Sequence, residues 1–206
     1  MQFLDFKQKL NDFVVFSLKD IQSFDPDFNL VQLSQWQDKG YIKKIIKGRY
    51  IFSDLELDEQ RLFLVANKIL SPSYISLETA LSWYNLIPEG VYTITSVSTV
   101  RRIDYETDLG NFSYKKIKNS AFFGDRLVEI PGLGQKYRIA SIEKALIDYL
   151  YYKDNVNSFE DIEGLRLNSE IMNNMIDVNL MIDYGISMNN KELVKRVETL
   201  IKYFGK

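Results

Sequence analysis

Residues 29–52 read NLVQLSQWQDKGYIKKIIKGRYIF. Asn29 is a helix-capping residue type, able to accept a hydrogen bond from a first-turn N–H. Gly40 suits the left-handed position just past a helix end. Together they predict a helix over 30–39. On its wheel Leu30, Leu33 and Trp36 fall towards one side. Gln32, Gln35 and Lys39 project from the other, at steps of three and four. Past Gly40, two β-rich runs flank Lys47-Gly48, which predicts a hairpin. That hairpin carries Lys43, Lys44, Lys47 and Arg49, and no acidic residue lies between Lys39 and Ile51.

Upstream, Phe3, Phe6, Leu10 and Phe13 predict an amphipathic helix over 3–13. Ser17 suits the N-cap of a short helix over 18–24, which Asp25-Pro26-Asp27 breaks. Helix, helix, turn, helix and hairpin is the order of a winged helix-turn-helix. The second helix of such a motif lies in the major groove. There Gln bonds bidentately to adenine, and Lys suits guanine acceptors or phosphate. Gln32, Gln35 and Lys39 are therefore candidate base readers, and Lys43, Lys44, Lys47 and Arg49 candidate phosphate ligands. Lysines also protect ordinary edge strands. Helix order, capping residues and the Lys-Gly turn together favour the DNA reading over that one. Trp36 belongs to the core side.

The rest of the chain reads as two further regions. A helix is predicted over 57–70, ended by Ser71-Pro72-Ser73, and another from Ser76 through Tyr84. Residues 91–139 have strand character in four runs, beginning at Tyr92, Phe112, Leu127 and Lys136. Ser141 suits the N-cap of a helix to about Tyr152, and helical segments follow near 158–164, 168–184 and 189–203. The expected class is α+β: a winged helix-turn-helix over 1–56, a mixed α/β domain over 57–154 and a helical segment over 155–206.

Composition narrows the chemistry. The chain holds no Cys and no His. Disulfides, thiol nucleophiles, Ser-His-Asp triads and zinc sites built from these residues are thereby excluded. Only carboxylates remain for a metal, and no Gly-rich phosphate loop opens a helix. No metal and no cofactor is expected, and an enzyme is not. The net charge is −2, so any affinity for nucleic acid must come from a local field such as the hairpin's. No signal peptide and no membrane span is read from the sequence, which sets the expectation of a cytoplasmic protein.

Two polar groups stand apart from the hairpin. Lys144 and Asp148, four apart on one helix face and beside Glu143, read first as a structural ion pair and second as a partner contact. Arg101, Arg102, Lys115, Lys116 and Lys118 form a second basic group. Interleaved Asp104, Glu106 and Asp108 make it read as scattered surface charge rather than an extension of the DNA surface.

Three segments carry a family resemblance: QWQDKGYIKKIIKGRYIF at 35–52, SYISLETALSWYNLIP at 73–88 and YRIASIEKALIDYLY at 137–151. Thr95-Ser-Val-Ser-Thr99 and Gly110-Asn-Phe-Ser-Tyr114 sit between the last two. In this order, over about residues 14–152, the chain resembles the AbiEi family of antitoxins and predicted regulators of viral-defence operons. The resemblance implies an N-terminal winged helix that binds operator DNA and represses its own operon. It also implies a later region that counteracts an AbiEii-like nucleotidyltransferase toxin, without requiring a stable complex. The alternative is a non-enzymatic interaction module, or a lone regulator with no toxin.

Overall fold

The computed structural model describes residues 2–205 and is a mixed α+β fold. The chain begins with α1 (Phe3–Lys9), α2 (Leu18–Gln22) and α3 (Val31–Asp38), followed by a hairpin of β1 (Ile42–Ile46) and β2 (Arg49–Phe52). Ser17 caps α2 in a reciprocal box, its hydroxyl accepting from Asp20 N and the Asp20 carboxylate accepting from Ser17 N. Asn29 Oδ1 accepts from Val31 N at 3.0 Å, as a capping group should, and Gly40 follows α3 at φ 71°. α1 is shorter than the sequence suggests. The chain leaves the helix after Lys9, and Val14–Phe16 is needed in extended form, because Phe16 bridges antiparallel to Tyr50 on β2. Phe13 is consequently 37% exposed.

Two apolar cores result. Phe6, Leu10, Phe16, Ile21, Phe28, Leu33, Trp36, Ile42 and Phe52 form the smaller. Trp36 is thus a core residue, its ring 4.4 Å from that of Phe6. Leu30 is not: it is 55% exposed, because it sits at the cap position before the helix rather than within its packed turns.

The larger core surrounds a six-stranded sheet in the order β5-β6-β4-β3-β8-β7. Its strands are β3 (Ser73–Ile75), β4 (Thr93–Ser98), β5 (Ile103–Thr107), β6 (Gly110–Lys116), β7 (Asp125–Glu129) and β8 (Lys136–Ala140). β4 with β6 and β3 with β8 are parallel, and the other pairs antiparallel. α4 (Glu59–Ile69), capped by Asp58, covers one face: Tyr114 Oη donates to Ala66 O at 2.7 Å and Phe63 meets the Tyr137 ring. α5 (Leu77–Trp83) and α6 (Ile142–Tyr152) cover the other. β3 was not predicted. Three residues are too few to show a period of two, and all three are buried, so no polar alternation marks them.

Ser76 precedes α5 but does not cap it with its side chain. Thr95 Oγ1 from β4 takes that role, accepting from Thr79 N at 3.1 Å and donating to Ser76 O at 2.7 Å. The Ser76 hydroxyl is left free to donate to Asp148.

α7 (Phe159–Gly164), α8 (Ser169–Asn174), α9 (Val178–Ser187) and α10 (Lys191–Tyr203) complete the chain. The single helix expected over 168–184 is two. Asn173 and Asn174 are poor helix formers, and Asp177 starts α9 afresh by accepting from Leu180 N at 3.1 Å. Met172, Met181, Leu193, Val197 and Leu200 join the same cluster as Leu146 and Leu150, so the larger core runs on across residue 154. Arg196 ties the seam by donating to Leu150 O and Asp154 O, each at 3.2 Å.

Gly124 shows how tightly this core is closed. It sits at φ 75°, and a Cβ there would lie 2.9 Å from Cγ of Lys144. Gly124→Ala combines a left-handed L-residue with that overlap and is expected to destabilise by about 1–3 kcal/mol. Urea unfolding measures it, and an unchanged midpoint would contradict the close approach.

Candidate nucleic-acid interface

Strand register decides which lysines share a surface. Ile42 pairs with Phe52, Lys43 with Ile51 and Lys44 with Tyr50, and a bulge then shifts the ladder so that Ile46 meets Arg49. Directly opposed residues point to the same face of a ribbon. Ile42, Phe52 and Tyr50 face the smaller core, and Ile45, Ile46 and Ile51 the larger. The bulge at Ile45 keeps two consecutive isoleucines on the second side. The ribbon is therefore packed at its base on both faces.

This splits the predicted phosphate set. Lys44 shares the face that carries α1, α2 and α3, whereas Lys43 shares the face of Ile51; both are exposed. Lys47 is exposed at the turn, where Gly48 adopts φ 78°. Arg49 departs from expectation. Its Nε donates to Lys68 O at 2.8 Å, one of the last carbonyls of α4, and its Nη1 lies 3.4 Å from Gly48 O. A helix C-terminus presents unpaired carbonyls and negative potential, which a guanidinium satisfies. Arg49 is thus a clamp between hairpin and α4 rather than a free phosphate ligand.

On α3 and at its C-cap, Gln35 and Lys39 are exposed and Gln32 is half-buried. The exposed side also carries Ser34, Asp38 and Val31. Gln35, Lys39, Lys44 and Lys47 remain as exposed members of the predicted set on α3 and the α3-side face or tip of the ribbon.

Glu143, Lys144 and Asp148 come together, but inside the protein. Lys144 and Asp148 are each 0% exposed and form an ion pair. Asp148 also accepts from Tyr74 Oη at 2.9 Å and Ser76 Oγ at 2.8 Å. Lys144 Nζ lies over the Phe123 ring at 4.9 Å. Burial pushes the Asp148 carboxyl up, while Lys144, Ser76 and Tyr74 pull it back. Glu143 accepts from Asp177 N at 3.2 Å, holding the start of α9. A partner has no access to these groups, so the contact reading gives way to the structural one. Tyr74 and Ser76 were missed as members, because their place beside α6 depends on β3.

The second basic group is less scattered than its sequence suggests. Asp104 is turned to Ser113, whose hydroxyl donates to it at 2.6 Å. Arg102, Lys115 and Lys116 line one cavity together with Lys153 at the end of α6. Lys153 carried no sequence signal.

No helix among the described residues is long and apolar enough to cross a membrane. No family model matches the sequence, and no curated protein matches it.

Proposed function

We propose that the first fifty-odd residues form a winged helix-turn-helix that binds double-stranded DNA, and that the protein is a regulator of the AbiEi type. One observation carries this reading: the order α1, bridging Phe16, α2, α3, β1, β2, with Phe16 bridged to Tyr50. This order suits a helix-turn-helix followed by a wing, with the Phe16 bridge tying the segment before α2 to the hairpin. α3 is then the reading helix, with Gln35 and Lys39 towards bases and Lys44 and Lys47 on phosphates. Autorepression, and antitoxin action against a nucleotidyltransferase toxin, rest on the three resembling segments alone. The protein acts by binding rather than by turnover.

The test is a mobility shift of the DNA upstream of its own gene across a salt series. Affinity that falls steeply as salt rises supports the reading. No shift at low salt defeats it.

A different observation favours the second reading, a protein-docking module. Leu30 and Val31 are 55% and 58% exposed at the start of α3, and Asp38 is exposed at its other end. Apolar and acidic groups there suit a protein surface better than a phosphate backbone. Co-elution with the purified toxin, in the absence of any duplex shift, would select it.

A further inference from the structure

We propose that the face of the sheet beside α6 holds a nucleoside triphosphate, in a bipartite cleft unrelated to the α3 surface. The cleft lies on the side of the sheet that α5 and α6 cover only in part. Strand alternation puts Thr95 of β4 and Ser113 and Lys115 of β6 on that side, since Thr95 pairs with Ser113 and Val97 with Lys115. Two cavities meet there. One, of about 500 Å³, is lined by Ile87, Val91 and Leu165 with Thr93, Thr95 and Ser113. The other, of about 570 Å³, is lined by Arg102, Lys115, Lys116 and Lys153. Glu78, Lys115 and Tyr149 line both, so the two adjoin.

Their chemistries are complementary halves of one ligand. The second cavity sets four cations against two carboxylates, Glu78 and Asp154, on a chain whose net charge is −2. None of the four cations is in an ion pair among the described residues. Lys153 instead lies over the Tyr149 ring at 5.3 Å. Lys115, Lys153 and Arg102, with Lys116 at the end of β6, outnumber the two carboxylates of this hollow and repel one another, and a polyphosphate relieves that. The first cavity combines apolar and aromatic side chains and strand hydroxyls with the carboxylates of Glu78 and Glu89, which suits a base and the hydroxyls of its sugar. Glu78, at the junction, is placed to accept from a ribose hydroxyl. Each half falls within the roughly 300–1,000 Å³ usual for small-ligand sites.

Equilibrium dialysis of the full chain against ATP and GTP tests this, with inorganic tripolyphosphate and adenosine as separate probes. One or both triphosphates should bind, adenosine should bind far more weakly, and tripolyphosphate should compete at lower affinity. Lys115→Glu with Lys153→Glu should weaken triphosphate binding by at least about tenfold. Arg102→Glu, at an exposed position, should weaken it in the same direction, and guards against a double variant that fails to fold. Tripolyphosphate binding as tightly as the nucleotide would overturn the nucleotide assignment. So would absence of triphosphate binding, variants that bind normally, or a single-stranded RNA that responds to the variants when mononucleotides do not. Duplex binding through α3 should be the same in these variants, so the two sites fail or stand separately.

Discussion

Asp148→Ala is expected to remove a large part of the stability of the larger core. Asp148 is the shared acceptor for three donors from two elements: Lys144 on α6, and Tyr74 and Ser76 on and after β3. Truncation leaves an ammonium at 0% exposure with no counter-charge. Breaking one half of a buried pair typically costs about 3–5 kcal/mol. The whole folding free energy of such a domain is about 5–15 kcal/mol. The faces of Phe123 and Tyr74, 4.9 and 5.7 Å from Lys144 Nζ, offset only part of the loss. The double variant Lys144→Met with Asp148→Leu removes both charges and should recover most of it, since buried pairs often add little over apolar residues of similar volume. Urea unfolding of the three proteins gives the answer. An Asp148→Ala unfolding free energy within about 1 kcal/mol of the parent's would mean that water reaches the pair.

That pair illustrates what a sequence can and cannot carry. The four-residue spacing of Lys144 and Asp148 puts them on one helix face wherever the helix lies. Their burial is a property of β3, some seventy residues earlier, and β3 is three buried residues without a period. Local signals held elsewhere: Ser17 and Ser141 cap their helices, and Lys47-Gly48 turns the hairpin. Each depends on one hydrogen bond or one backbone angle within a few residues. The ribbon's lysines were harder. Whether Lys43 and Lys44 share a surface depends on their offset from the bulge at Ile45, and the run IKKII reads equally as two lysines side by side. Arg49 looked like its neighbours because its acceptor, Lys68 O, is a backbone carbonyl, invisible in any sequence pattern. Asn173 and Asn174 did mark the break between α8 and α9, but a helical pattern on both sides obscured it.

Lys39→Glu with Lys44→Glu and Lys47→Glu should abolish duplex binding. These three exposed cations lie on α3 and on the α3-side face or tip of the ribbon. Each phosphate contact contributes roughly −0.9 to the slope of log K against log salt, so three give about −3. Reversal removes that attraction and adds repulsion, and a loss of a hundredfold or more is expected at roughly 0.1 M salt. Lys43→Glu supplies the internal contrast. It makes one charge change a single residue away but on the opposite face of the ribbon, and affinity should change by no more than about threefold. Arg49→Ala should lower stability through the lost Lys68 contact and leave the affinity of the folded protein alone. Gln35→Ala separates reading from positioning. A bidentate base contact discriminates by about 1–3 kcal/mol, so preference for the upstream DNA should fall while the salt slope stays the same. A triple variant that binds like the parent, or a Lys43 variant as damaged as the triple, would mean that α3 and the wing do not meet DNA together.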